Sequence, residues 1–106
     1  MNNKEELSQV NKDILNKQLD YIEAKSKYLE EKQKLASAKA QISLTDKDTW
    51  KEIGITNQDG RDAYARKQTE ALQENLHQAQ ITMDYLAVQV EYYKNELAIL
   101  LATMEE

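Results

Sequence analysis

Residues 72–104 read LQENLHQAQITMDYLAVQVEYYKNELAILLATM. Apolar or small residues recur there at alternating three- and four-residue steps: Leu72, Leu76, Ala79, Met83, Leu86, Val90, Tyr93, Leu97, Leu100 and Met104. Such spacing keeps one narrow face of a helix toward a partner helix, the pattern of a coiled-coil seam. A second stripe, Ile81, Tyr85, Val88, Tyr92 and Ile99, follows similar spacing on roughly the opposite side. A helix apolar on two sides needs cover on two sides.

The N-terminal half repeats the arrangement. Its seam runs Leu7, Val10, Ile14, Lys17, Tyr21, Ala24, Tyr28, Glu31, Leu35, Ala38 and Ile42, interrupted only by Lys17 and Glu31. Alternate members fall seven residues apart, which implies left-handed supercoiling. Leu15, Leu19, Ile22 and Leu29 widen the apolar surface of this helix. The two charged residues in the seam are expected at its margin rather than inside it.

Both glycines and the only tryptophan lie between these halves, so the chain is expected to reverse there. Thr45-Asp46-Lys47-Asp48 has the spacing of a capping box and predicts a short helix over Asp46–Ile53, stopped by Gly54. Thr56-Asn57-Gln58-Asp59 then caps the second long helix. Trp50, Ile53 and Ile55 are expected to fold back as an apolar plug over the ends of the long helices. Gly60 sits in the first turn of the second helix, where a poor helix former is tolerated.

The predicted architecture is therefore all-α. A single domain, residues 1–106, has a helix at about 3–43, a connector at 44–56 carrying the short helix, and a helix at about 57–105. Antiparallel folding brings the additional stripes to the end that bears both termini. Dimerisation of two hairpins into a four-helix bundle would cover them. The candidate interface is Leu15, Leu19, Ile22, Leu29, Ile81, Tyr85, Val88, Tyr92 and Ile99. The candidate connector residues are Trp50, Ile53, Gly54, Asn57 and Arg61.

Composition supports this reading. The chain has 106 residues, no Pro, Phe or Cys, two Gly, and 31% charged residues, a balance suited to long helices. Its length gives a thin core and a poor ratio of buried to exposed surface. Without cysteine there is neither a disulfide nor a thiolate metal site, which fits a cytoplasmic setting. The polar N-terminus lacks the apolar segment of a signal peptide. The longest apolar run, Leu97–Ala102, is far short of the roughly 20 residues that span a bilayer, so no membrane partner is expected.

The net charge of −5 is uneven, with residues 1–44 at +1 and residues 57–106 at −5. The acidic second half disfavours phosphate backbones and anionic membranes. Lys25, Lys27, Lys32, Lys34 and Lys39 form a basic stretch broken by Glu30 and Glu31; a solvated helix face accounts for it better than nucleic-acid contact. With a single His, ordinary nucleophilic triads and zinc sites cannot be assembled, and no Gly-rich phosphate loop is present. Glu74-x-x-His77 has the spacing used by di-iron helical bundles, with Glu31 at about the right height on the other helix. Glu74 and His77 fall outside the seam, however, and a solvated pair is the reading preferred. No enzyme activity, metal or cofactor is expected. The helically spaced tyrosines, Tyr21, Tyr28, Tyr85, Tyr92 and Tyr93, are read as packing residues with their hydroxyls at the edge.

The segment Trp50-Lys51-Glu52-Ile53-Gly54-Ile55-Thr56-Asn57, followed by Arg61, Ala63 and Tyr64, resembles the connector of small helical proteins encoded by phages and prophages of Gram-positive bacteria. There, a W-x-x-L/I-G-x-T-N segment opens a heptad-rich helix. The resemblance covers about 15 residues closely, and Gly60 departs from the better helix formers usual at that position. It implies an early-gene product that accompanies phage DNA replication or recombination. With the doubled stripes and the absence of reactive groups, the expectation is a non-enzymatic protein of the host cytoplasm that binds itself and binds or inhibits another protein of phage DNA metabolism or host defence. One alternative is a DNA-binding structural or recombination accessory protein. Another is a WXG-type secreted helical hairpin, which Trp50 and Tyr92-x-x-x-Glu96 resemble, although Glu52 stands where that pattern has Gly.

Overall fold

The computed structural model describes residues 3–105; Met1, Asn2 and Glu106, the ends of the predicted domain, lie outside them. The element order is α1 (Asn3–Ser43), α2 (Lys47–Glu52), α3 (Gln58–Gln68) and α4 (Glu70–Met104), with no strand among the described residues. The long helices α1 and α4 pack antiparallel as an extended hairpin. Its extents are 75 × 18 × 15 Å and its radius of gyration is 23.0 Å, against about 13 Å for a compact chain of this length.

Helix α1 contains neither Gly nor Pro, so nothing interrupts its backbone hydrogen bonds before Ser43. There the winding tightens: Thr45 N donates to Ile42 O at 3.1 Å, and the Ser43 hydroxyl donates to Ala40 O at 2.7 Å. Helix α2 starts one residue later than predicted, at Lys47 instead of Asp46. Asp46, not Thr45, is the cap residue, accepting from Thr49 N at 2.7 Å. It ends in a complete Schellman motif, with Ile55 N donating to Trp50 O and Gly54 N to Lys51 O, both at 3.0 Å. That motif needs a left-handed residue, and Gly54 supplies it at φ +79°.

Asn57 caps α3, accepting from Gly60 N at 2.7 Å. Gly60 has a packing role there. A Cβ would come within 3.1 Å of Ile55 Cγ2 and 3.2 Å of Asn57 Oδ1, so the tight first turn favours the absence of a side chain.

The second long helix is interrupted at Thr69, not continuous as predicted. Thr69 (φ −104°, ψ 11°) divides α3 from α4. Its hydroxyl donates to Ala65 O at 2.7 Å and accepts from Gln73 Nε2 at 2.9 Å. Threonine bonding back to the preceding turn bends a helix. The main chain nevertheless carries through, because Thr69 N reaches Ala65 O and Gln73 N reaches Thr69 O. The predicted seam begins beyond this point, at Leu72, and continues through α4.

Candidate interaction surface

The predicted seams face each other. Every seam residue of α1 from Leu7 to Ile42 is buried or half-buried, as is every seam residue of α4 from Leu72 to Leu100; only Met104 stays exposed. Ala24, Leu35, Ala79 and Val90 are its most buried apolar members. Small residues at two of these four places let the helix axes approach closely.

The nine stripe residues are arranged otherwise. Leu15, Leu19, Ile22, Leu29, Ile81, Tyr85, Val88, Tyr92 and Ile99 all remain exposed, from 48% for Ile81 to 67% for Val88. The antiparallel pairing gathers them toward the end bearing the termini. Ile22 and Tyr21 on α1 share the lining of a shallow 450 Å³ cavity with Ala87, Val90 and Lys94 on α4. The tyrosines divide by stripe. Tyr93 lies half-buried in the seam, and Tyr92 meets it edge-on at 5.3 Å between ring centroids. Tyr85 keeps its hydroxyl at the surface, accepting from Gln89 Nε2 at 3.2 Å.

The chain exposes 7999 Å². A compact monomer of its mass would expose about 6,100 Å². The excess exceeds the roughly 800 Å² that each partner contributes to a standard protein–protein interface.

Glu31 lies inside the seam, not at its margin, and is only 3% exposed. Lys27 and Lys34 approach its Oε1 at 2.9 and 3.4 Å, while its Oε2 is buried without a partner. The hydrogen bond from Lys27 holds the carboxyl pKa below its ordinary value, against burial, which acts to raise it; the Lys34 hydrogen bond and the two lysine charges add to the lowering. A 390 Å³ cavity beside Glu31 is lined by Ala24 on its own helix and by Asn75, Gln78, Ala79 and Thr82 opposite. Lys17, the other seam interruption, is half-buried and sits 4.0 Å from Asp20.

At the connector, Trp50 is the buried centre. It meets Tyr64 edge-on at 5.3 Å, and the Arg61 guanidinium lies 5.9 Å from its ring centroid. Ile55 is half-buried beside them. Ile53 is 46% exposed, so the predicted plug consists of Trp50 and Ile55 without it. As the residue before the left-handed Gly54, Ile53 forms the C-cap of α2. Leu44, which no sequence pattern distinguishes, is the most exposed large apolar residue, at 82%.

Glu74 and His77 are exposed, and Glu74 accepts a hydrogen bond from Gln78 Nε2 at 2.8 Å. No group of three His, Cys, Asp or Glu side chains is placed to hold a metal among the described residues. No helix among them is long and apolar enough to cross a membrane. Two structurally important residues escaped sequence reasoning. Thr69 continues the three-four spacing one step before Leu72 but is polar, and Glu31 is a charge in an otherwise apolar seam, so neither is expected from sequence to be buried. Comparison with protein families, with curated proteins and with solved structures finds no match to this chain.

Proposed function

We propose that this chain is a non-enzymatic interaction protein that self-associates through the doubled apolar face of its terminal half and presents the resulting assembly to another protein. The observation that carries the reading is the set of nine large apolar side chains left half uncovered or nearly so on one end of the hairpin. A pairing surface that joins one stripe from each copy brings eight to ten such side chains together. At roughly 1 kcal/mol for the uncovered half of each, their burial is of the size needed to offset an association cost of about 4–15 kcal/mol. A four-helix arrangement gives each helix two neighbours, as two stripes per helix require.

The connector resemblance supports a phage-derived protein of the host cytoplasm, whose target is a protein of phage DNA metabolism or of host defence. The acidic second half suits a protein target better than a phosphate backbone. Sedimentation equilibrium at micromolar concentration tests the self-association. A dimer or higher species is the expected result, and a monomer refutes it. Pull-down from native host lysate then tests the second binding step: a protein retained by the wild type and lost with stripe variants supports it, and retention of nothing but the chain itself refutes it.

A further inference from the structure

We infer that the cavity at the tip of the hairpin is a binding site for a small molecule carrying two or more phosphate charges. The cavity measures about 720 Å³ and lies where the end of α1, the connector with α2, and α3 converge. That size is in the range of small-ligand sites, about 300–1,000 Å³. Four cationic side chains from these three segments line it: Lys39, Lys47, Arg61 and Arg66. None of the four is within ion-pair distance of a carboxylate among the described residues, whose ion pairs all lie within α1 or α4. The one carboxylate in the lining, Asp62, accepts from Gln58 Nε2 at 2.8 Å.

Arg61 gives the cavity its polarity. Its Nε is buried and has no acceptor, while its guanidinium lies over the Trp50 ring. A buried donor left unsatisfied is costly, and a charged one more so. A phosphate in the cavity would meet this guanidinium, which has no carboxylate partner among the described residues, in a charge-assisted contact. Four like charges that form no ion pair among these residues, against the single lining carboxylate of Asp62, raise the local potential and attract an anion. The charge distribution also favours a small ligand over a nucleic-acid strand. Residues 39–67 carry six basic and five acidic side chains, whereas the rest of the chain carries eight basic against fourteen acidic. A long polyanion would be repelled along the shaft.

The site lies at the end opposite the apolar stripes and does not depend on self-association. Trp50 is the only tryptophan and lines the cavity, so its emission reports occupancy directly. The test is titration of the full chain with inorganic pyrophosphate, followed by Trp50 emission and by equilibrium dialysis. Sulfate at matched ionic strength and a short single-stranded oligonucleotide form the comparison arms. Expected is saturable pyrophosphate binding that sulfate does not reproduce. Lys39→Gln and Arg66→Gln alter exposed side chains and preserve the fold, checked by circular dichroism. Each is expected to weaken binding by about tenfold, the loss of one charge-assisted contact. The proposal is overturned by no binding at millimolar pyrophosphate, by equal binding of sulfate, or by affinity unchanged in both variants. Binding of the oligonucleotide with no response to pyrophosphate overturns it too.

Discussion

At the tip, Trp50 is buried against Tyr64 and beneath Arg61, all within a short stretch of chain that includes two side-chain caps and a left-handed glycine. At the other end, Ile22 and Val88 sit on helices just as regular, and more than half of each side chain faces solvent. The tip meets its needs locally: its cap residues, glycine and aromatic cluster are neighbours in sequence. The terminal half has only two helices with which to cover four apolar stripes, and two helices can hide one stripe each. A second periodic stripe on an already paired helix is therefore a statement about surface left over, not about the fold itself.

The largest expected effect separates these two ends. Trp50→Ala removes the centre of the tip cluster and should cost about 3–5 kcal/mol, as large aromatic truncations do. Near-ultraviolet circular dichroism should flatten, and amide exchange should rise through residues 47–68. Protection along the seam from Val10 to Tyr28 should change little. Uniform loss of protection along the whole hairpin would show that the tip is not an independent unit.

Next comes the opposite end. Ile22→Glu combined with Val88→Glu places charges on two side chains that a single hairpin leaves exposed, so the helices should remain intact. In a dimer the same charges would be desolvated and unpaired. Association should weaken by at least about a hundredfold, roughly 2.7 kcal/mol, with helical content measured by circular dichroism unchanged. Collapse of helicity would mean that the stripes stabilise the hairpin itself. An unaltered sedimentation profile would remove them from any interface.

Smaller effects test whether the tip depends on backbone geometry or on packing. Gly54 adopts φ +79°, and a methyl group added to its Cα would meet only open space. Gly54→Ala therefore clashes with nothing and bears only the cost of the left-handed backbone, about 1–2 kcal/mol. Asn57→Ala removes the acceptor for Gly60 N and should cost about 1 kcal/mol. Urea midpoints measure both. Equal stability in Gly54→Ala would imply that the connector relaxes into another turn.

The difference between the ends also governs what the sequence made legible. The seams could be read because burial between two long helices follows period alone; Leu7 to Ile42 and Leu72 to Leu100 all turn inward. The caps were legible to within a residue, because Thr45 and Asp46 carry equivalent cap chemistry and only backbone geometry chooses between them. Thr69 was not legible, because the interruption rests on one hydroxyl that shares Ala65 O with the Thr69 N–H, at a position that itself continues the three-four spacing. The tip cavity was missed for a related reason. Lys39, Lys47, Arg61 and Arg66 are dispersed in sequence, and only the reversal of the chain assembles them.

Glu31 supplies the smallest effect and sits between the two regions. Its carboxyl pKa is held low chiefly by the Lys27 hydrogen bond. A carboxylate with a depressed folded-state pKa contributes stability above its unfolded pKa, about 4.3, and loses it as pH falls through the folded value. Asp46 behaves in the same sense, its pKa lowered first by the backbone hydrogen bond from Thr49. The Lys34 pKa is raised, first by its hydrogen bond to Glu30; its contribution is complete below the ordinary lysine pKa and disappears only at more alkaline pH, as the raised folded value is passed. The acid side of the stability curve should therefore contain contributions from Glu31 in the shaft and Asp46 at the tip. Glu31→Gln keeps the shape and removes the titration, so its urea midpoint should fall less than that of the wild type between about pH 5 and pH 3. Asp46→Asn should flatten the same limb while preserving a cap acceptor. If Glu31→Gln leaves the slope unchanged, the lysines do not hold that carboxylate in solution, and the shaft has no acid-sensitive element to set against the tip.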